Sequence, residues 1–326
     1  MLYIRRSLDR VVDFVLDALE KDGFSQVHLV KKQAGFDGKF PGLRKPNPEE
    51  PEVFRIAERE ALEEHADLMI ATDPDSDRIG AGVIQDSKAF FFTGNQIGAL
   101  LADFLSRQGS VKGKIMVTTV VTGDLGSRIV TSRGATVIHT LTGSKFVCEG
   151  MNHMEAGEFL LGYEESHGYI GGMHIRDKDG VLAAMLICET AAWHKTQGRT
   201  LLDALEDLYQ KYGYYIDEQD SFVFEGAKGA KEMQKIMARL RSRRGSVFAP
   251  LGKPDKILDY EKGVDELPRS NVLKFFFPNG SWVAVRPSGT EPKIKFYYCI
   301  RGKDQRQAED LYEAVQTSVE EFLRTF

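Results

Sequence analysis

A short apolar run, Asp67-Leu68-Met69-Ile70, leads directly into Ala71-Thr72-Asp73-Pro74-Asp75-Ser76-Asp77-Arg78. The run reads as a buried strand, and three carboxylates at alternate positions then fall into one loop at its carboxyl end. Open α/β sheets keep their ligands at that end. Like charges this close repel one another unless a cation sits among them. The stretch therefore predicts an α/β layer with a hard divalent cation, Mg²⁺, on Asp73, Asp75 and Asp77. An acidic Asp/Pro/Ser cluster is usually a solvated turn, but the strand in front argues for a ligand site. An EF-hand opening at Asp73 would need glycine sixth and glutamate twelfth, where this chain has Arg78 and Ile84. A phosphatase with Asp73 as nucleophile and Asp75 beside it would use the same strand and loop.

The rest of the chain sets the setting for that loop. At 326 residues it is too long for one ordinary core, so two or three domains are expected. A net charge of -5 gives no basic footprint, which excludes a nucleic-acid partner. No apolar run is long enough to span a bilayer. Arg5, Arg6, Asp9 and Arg10 deny the N-terminus the apolar centre of a signal peptide. Cys148, Cys188 and Cys299 are widely spaced and lack metal-ligand spacing. Reduced thiols and a cytoplasmic location follow.

Residues 1–108 read as an α/β unit that starts with a helix (Val11 to Leu19, stopped by Gly23) and no first strand. Val27 to Val30 is a strand, Pro51 opens a helix, and Thr93-Gly94-Asn95 starts another that runs to Leu105. Residues 109–214 read as a second α/β unit. Ile115 to Val121 is its buried parallel strand, Ala135 to His139 the next, and Thr142-Gly143-Ser144-Lys145 a turn. Helices follow over 181–194 and 201–212. From 215 to 326 runs of strands lie between helices over 227–243 and 305–326, a smaller α+β domain. Strands are expected at 222–225, 272–277, 282–285 and 293–300, with a hairpin turn at Pro278-Asn279-Gly280. The basic cluster Arg239, Arg241, Arg243 and Arg244 lies at a helix end, where cations suit the dipole.

Two more loops can carry chemistry. Arg286-Pro287-Ser288-Gly289-Thr290-Glu291-Pro292-Lys293 combines an arginine fork, two hydroxyls and a glycine that exposes backbone N–H groups, which suits a phosphate dianion. Glu164 and Ser166, between Gly162 and Gly168, can grip a vicinal diol of a sugar. Taken singly, each loop is equally well an exposed polar turn.

Together, in order and spacing, the three loops resemble those of the α-D-phosphohexomutases, the phosphoglucomutase and phosphomannomutase family. The resemblance makes Asp73, Asp75 and Asp77 the Mg²⁺ ligands and puts Arg78 beside the transferring phosphoryl group. Glu164 and Ser166 would hold sugar hydroxyls, Glu164-Glu165-Ser166 having the form associated with glucose phosphates. Arg286, Ser288, Gly289, Thr290 and Lys293 belong to the matching phosphate loop, and Thr142-Gly143 to a substrate-contacting turn. Lys178 falls where glucose-type members place a proton-transfer lysine, with His167 and His174 as weaker choices. The partners implied are hexose phosphates, with glucose 1,6-bisphosphate as intermediate. The family nucleophile is a phosphoserine in a Ser-His-Asn-Pro type loop of the first of four domains. The only Ser-His pair here is Ser166-His167, followed by Gly168-Tyr169. The chain thus reads as most of domain two followed by domains three and four, inactive alone. A sugar-phosphate-binding remnant without catalysis is the non-enzymatic alternative.

Overall fold

The computed structural model describes residues 2–5, 11–33, 43, 45–152, 154–155, 157–288 and 291–326. The chain divides into two compact units, residues 1–207 and 208–326.

The first unit holds two sheets. One has the order β2-β1-β3-β4-β5, built from β1 (Leu2–Arg5), β2 (Val27–Leu29), β3 (Leu68–Thr72), β4 (Ile79–Gln85) and β5 (Lys88–Phe91). β1 runs parallel to both β2 and β3, and the β3-β4-β5 meander is antiparallel. The expected start without a strand is thus corrected. β1 is too short to show a period of two, and it becomes a strand because β2 and β3 pair with it from both sides. Helix α1 (Val11–Lys21) follows, with Val12, Val15 and Leu19 buried at helical spacing. Gly23 then takes a positive φ beyond the helix end. The expected helix at Pro51 opens as one 3₁₀ turn, Pro51–Phe54, before α2 (Arg55–Glu63). Every residue of β3 is buried, which explains its unbroken apolar run. On one side it meets Val53, Phe54, Ala57 and Ala61.

The second sheet has the order β7-β6-β8-β9. Its strands are β6 (Ile115–Thr119), β7 (Thr136–Thr140), β8 (Phe159–Tyr163) and the short β9 (Tyr169–Ile170). β6 is parallel to β7 and β8, and only β9 is antiparallel. Between them lie α3 (Gly94–Leu105), α4 (Asp124–Ser132) and α5 (Ser144–Gly150). The turn expected over 142–145 is shorter than that: Thr142 and Gly143 bend the chain, while Ser144 and Lys145 already belong to α5. The long helix α6 (Gly180–Lys195) packs on α1, α3, β3, β4 and β9, so it ties both sheets together, and α7 (Leu201–Tyr212) ends near the unit boundary.

The second unit is an antiparallel sheet of order β10-β14-β13-β12-β11. It consists of β10 (Tyr214–Val223), β11 (Lys256–Asp259), β12 (Leu273–Phe276), β13 (Trp282–Pro287) and β14 (Lys293–Gly302). Helices α8 (Gly226–Arg243) and α9 (Gln305–Leu323) bury Ile236, Leu240, Val315 and Val319 with Phe275, Val283 and Phe296 of the sheet. Of the strand expected at 222–225, Glu225 instead takes the N-cap position of α8, and only Phe222 and Val223 form strand, as the tail of the ten-residue β10. Asp217 to Ser221, five polar residues on an edge strand, hide the rest of it from pattern reading.

Candidate active site

The acidic loop leaves the carboxyl end of β3. Asp73 is fully buried, Asp77 half-buried and Asp75 exposed, and one carboxylate oxygen from each lies within 4.8 Å of the others. Arg78 holds Asp73 from within the same loop: its backbone N–H donates to Oδ1 at 3.1 Å and its Nε to Oδ2 at 2.7 Å. Burial pushes Asp73 up to about 6, against the pull of Arg78. Asp77 has the opposite balance. Burial would raise it, but the Lys178 ammonium at 2.6 Å holds it below the usual carboxylate range. Its other oxygen, Oδ1, is buried and accepts no hydrogen bond among the described residues. Three carboxylates whose oxygens converge, one of them held only by a 3.5 Å ion pair to the Arg78 Nε, form an all-oxygen donor set that fits a hard divalent cation.

Two backbone links fasten this loop, one to the turn between β8 and β9 and one to the start of α6. Ile79 N–H donates to the carbonyl of His167 at 3.1 Å, and the His167 ring contacts the Ile79 carbonyl at 3.3 Å through Nδ1. Gly180 N–H, at the start of α6, donates to the carbonyl of Ser76 at 3.0 Å. A Cβ at position 180 would come within 2.5 Å of that carbonyl oxygen, so only glycine permits the approach. Asp179 caps the helix, accepting from the N–H groups of Val181 and Leu182 at 2.9 and 3.1 Å. This junction delivers Lys178 to Asp77. Burial works against the Lys178 charge, but Asp77 outweighs it and holds the ammonium above its ordinary range. Ser144 Oγ lies 3.5 Å from Nζ.

Glu164 follows the carboxyl end of β8. It is buried and accepts the Gly143 N–H at 2.9 Å through Oε1, so the two expected substrate segments touch directly. Burial raises Glu164, and Lys178, Asp77 and Asp177 are all close enough to act on it. Thr142 Oγ1 is buried without a hydrogen-bond partner among the described residues. Ser166 lies half-buried in the turn. Asp73, Asp75, Asp77, Arg78, Lys178, Gly143 and Glu164 therefore form one continuous cluster in the first unit. Of the two weaker histidines, His167 serves the backbone junction and burial lowers its pKa.

The Arg286 loop belongs to the second unit, where it closes the β13–β14 hairpin. Ser288 N–H donates to the Lys293 carbonyl at 2.8 Å, and Ser288 Oγ accepts from Glu291 N–H at 3.2 Å. Lys293 pairs with Glu291 at 2.7 Å, and Arg286 lies opposite Lys295 in the ladder. Gly289 and Thr290 lie outside the described residues.

Three family models match the chain in order: phosphoglucomutase/phosphomannomutase alpha/beta/alpha domain II over residues 11–85, domain III over 93–212 and the C-terminal domain over 223–318. The chain belongs to the phosphoglucomutase/phosphomannomutase family. A curated phosphoglucomutase from Staphylococcus haemolyticus is 35% identical over 320 residues, which is 93% of this chain and 58% of that protein. The chain thus spans a little over half the length of such relatives. Two solved structures share the fold. A Burkholderia thailandensis phosphoglucomutase/phosphomannomutase family protein has a TM-score of 0.69 at 16% identity, over 98% of this chain and 60% of its own. A putative phosphomannomutase from Thermus thermophilus has 0.67 at 20%, over 98% and 61%.

Within this family member, sequence reasoning missed several supporting residues. Glu165 Oε2 accepts from the hydroxyls of Thr119 and Thr122, both at 3.3 Å, and this pins the turn between Glu164 and Ser166 to the end of β6. Ser144, at the amino end of α5, was expected only as part of a turn. Neither pairing has a local signal, because the partners are 43 and 46 residues apart for Glu165 and 34 for Ser144.

Proposed function

We propose that the chain carries the metal, sugar and phosphate loops of a glucose-type phosphohexomutase. The reaction is the interconversion of glucose 1-phosphate and glucose 6-phosphate through glucose 1,6-bisphosphate. The observation that carries this reading is the cluster in the first unit. An acidic triad, Arg78, Lys178, Glu164 and the Thr142-Gly143 bend are laced together at the carboxyl ends of β3, β7 and β8. The domain bounds that go with it are 1–108, 109–214 and 215–326.

Asp73, Asp75 and Asp77 would hold Mg²⁺, which supplies charge neutralisation for phosphoryl transfer when bound. Arg78, anchored on Asp73, adds a fixed positive charge where the phosphoryl group passes. Glu164, held by Gly143, presents a carboxylate to sugar hydroxyls, and Ser166 and Thr142 add hydroxyl groups. Lys178 is the candidate for moving the hydroxyl proton. Arg286, Ser288, Gly289, Thr290 and Lys293 would hold the phosphate that does not react. Both oxygens of Asp73 are engaged by Arg78, which speaks against Asp73 as the nucleophile of a phosphatase. These 326 residues contain no Ser-His-Asn-Pro type loop, so the chain by itself should bind without turnover.

Calorimetry on the 326-residue chain with Mg²⁺ tests this. Glucose 1-phosphate or glucose 6-phosphate should bind, and Arg286→Ala or Ser288→Ala should weaken them by roughly tenfold, the loss of one charge-assisted contact. Asp75→Asn should weaken Mn²⁺ binding followed by its paramagnetic resonance. Equal responses to glucose and its phosphates would overturn the substrate reading. A coupled assay for interconversion should read zero, and clear turnover would show that another group carries the phosphoryl.

A further inference from the structure

The basic cluster at the end of α8 is split by the fold. Arg241 is absorbed by Asp259 at 3.0 Å, Glu261 at 2.8 Å and Asn271 at 2.8 Å, and Arg239 by Thr325 and the ring of Phe326. Arg243 lays its guanidinium against the Phe322 ring, 5.8 Å from its centre. Arg243, Arg244 and Lys253 are exposed, and none is in an ion pair among the described residues. They line a surface cavity of about 540 Å³ with Ser246, Gly252 and Asp255. Three cations face one carboxylate there, in a protein whose net charge is -5.

Dipole compensation explains only part of this. A helix end carries roughly half a negative charge, which one of these cations would offset. Arg244 is moreover held at φ 48°, the left-handed cap position that glycine usually fills. A long cationic side chain stands where its backbone is disfavoured, and the chain turns so that Arg244 and Lys253 share one cavity.

We infer that the cavity between the end of α8 and the 246–255 segment is a binding site for a small polyanion bearing phosphate groups. It is separate from the Arg286 loop. Two guanidinium planes can each donate in pairs to phosphate oxygens, and Lys253 adds a mobile point charge. The Ser246 hydroxyl supplies one neutral donor.

The test titrates inorganic pyrophosphate into the 326-residue chain without divalent cations. Nuclear magnetic resonance and calorimetry are the readouts, in the natural sequence and in Arg286→Ala to silence the other phosphate loop. Saturable binding is expected in both. It should weaken roughly tenfold or more in Arg244→Ala/Lys253→Ala, with two charge-assisted contacts gone, and fall steeply with salt. Lys228→Ala/Lys231→Ala, with the same charge loss on exposed positions at the start of α8, should bind as before. Circular dichroism checks that each variant is folded. The inference is overturned by absence of binding, or by equal weakening in both double variants, which is a net-charge effect. It is also overturned if Arg244→Ala/Lys253→Ala lowers thermal stability while binding is unchanged, since the cations would then serve only the helix end.

Discussion

His167 links the acidic loop to the turn between β8 and β9 with its carbonyl and its ring, and it does so at φ 64°. Burial holds the imidazole below its ordinary pKa of 6.5. The folded protein therefore resists a proton that the unfolded chain accepts. This stability is fully present above about pH 6.5 and is lost as pH falls through the folded value. His167→Asn keeps a residue that tolerates the left-handed conformation but cannot titrate. The midpoint of thermal unfolding should fall more steeply between pH 6.5 and 5 in the natural chain than in His167→Asn, and parallel profiles would remove histidine from the account. At this scale the sequence was informative about residue types. Asp73, Asp75 and Asp77 were singled out from charge spacing and position after a strand, Glu164 from its place beside Ser166 between two glycines, and a role for Arg78 only from the family resemblance. The threonines that hold Glu165 were not, because a hydrogen bond between distant loops leaves no periodic trace.

Among the elements, α6 matters most to the site, because its first turn touches the acidic loop. Removing its cap with Asp179→Ala should cost about 1 kcal/mol and leave the Gly180–Ser76 contact in place. Gly180→Ala should do more to the site than to the helix, since the new methyl would meet the Ser76 carbonyl oxygen. We expect Gly180→Ala to weaken Mn²⁺ binding by roughly tenfold or more while Asp179→Ala changes it little. The reverse order would separate metal binding from this junction. Elements with a strong local signal were legible in the sequence: α1 by its helical period, β3 by its unbroken apolar run and α3 by its Thr93-Gly94-Asn95 start. β1, β10 and β11 were not. β1 is defined by its neighbours rather than its residues, β10 carries a polar middle on an edge, and the four-residue β11 pairs only with β12.

The two units each contain one tryptophan, Trp193 in α6 and Trp282 in β13. Trp193→Phe therefore leaves fluorescence that reports on the second unit, and Trp282→Phe leaves a reporter for the first. With separate cores, the two signals should unfold at different denaturant concentrations, matched by two calorimetric transitions. Coincident midpoints would show one cooperative molecule instead. Order along the chain was readable at this scale because strands and helices alternate up to residue 212, while in the second unit the strands run together between two long helices.

All three thiols are buried, one on each of α5, α6 and β14, and the solvent exclusion that raises Cys148 and Cys188 also keeps them protonated. Alkylating reagents attack the thiolate, so at Cys148 and Cys188 of the native protein they would find neither access nor the reactive form, and at Cys299 burial denies them access. Each cysteine becomes a silent tag for its own element, modified only when that part of the molecule opens.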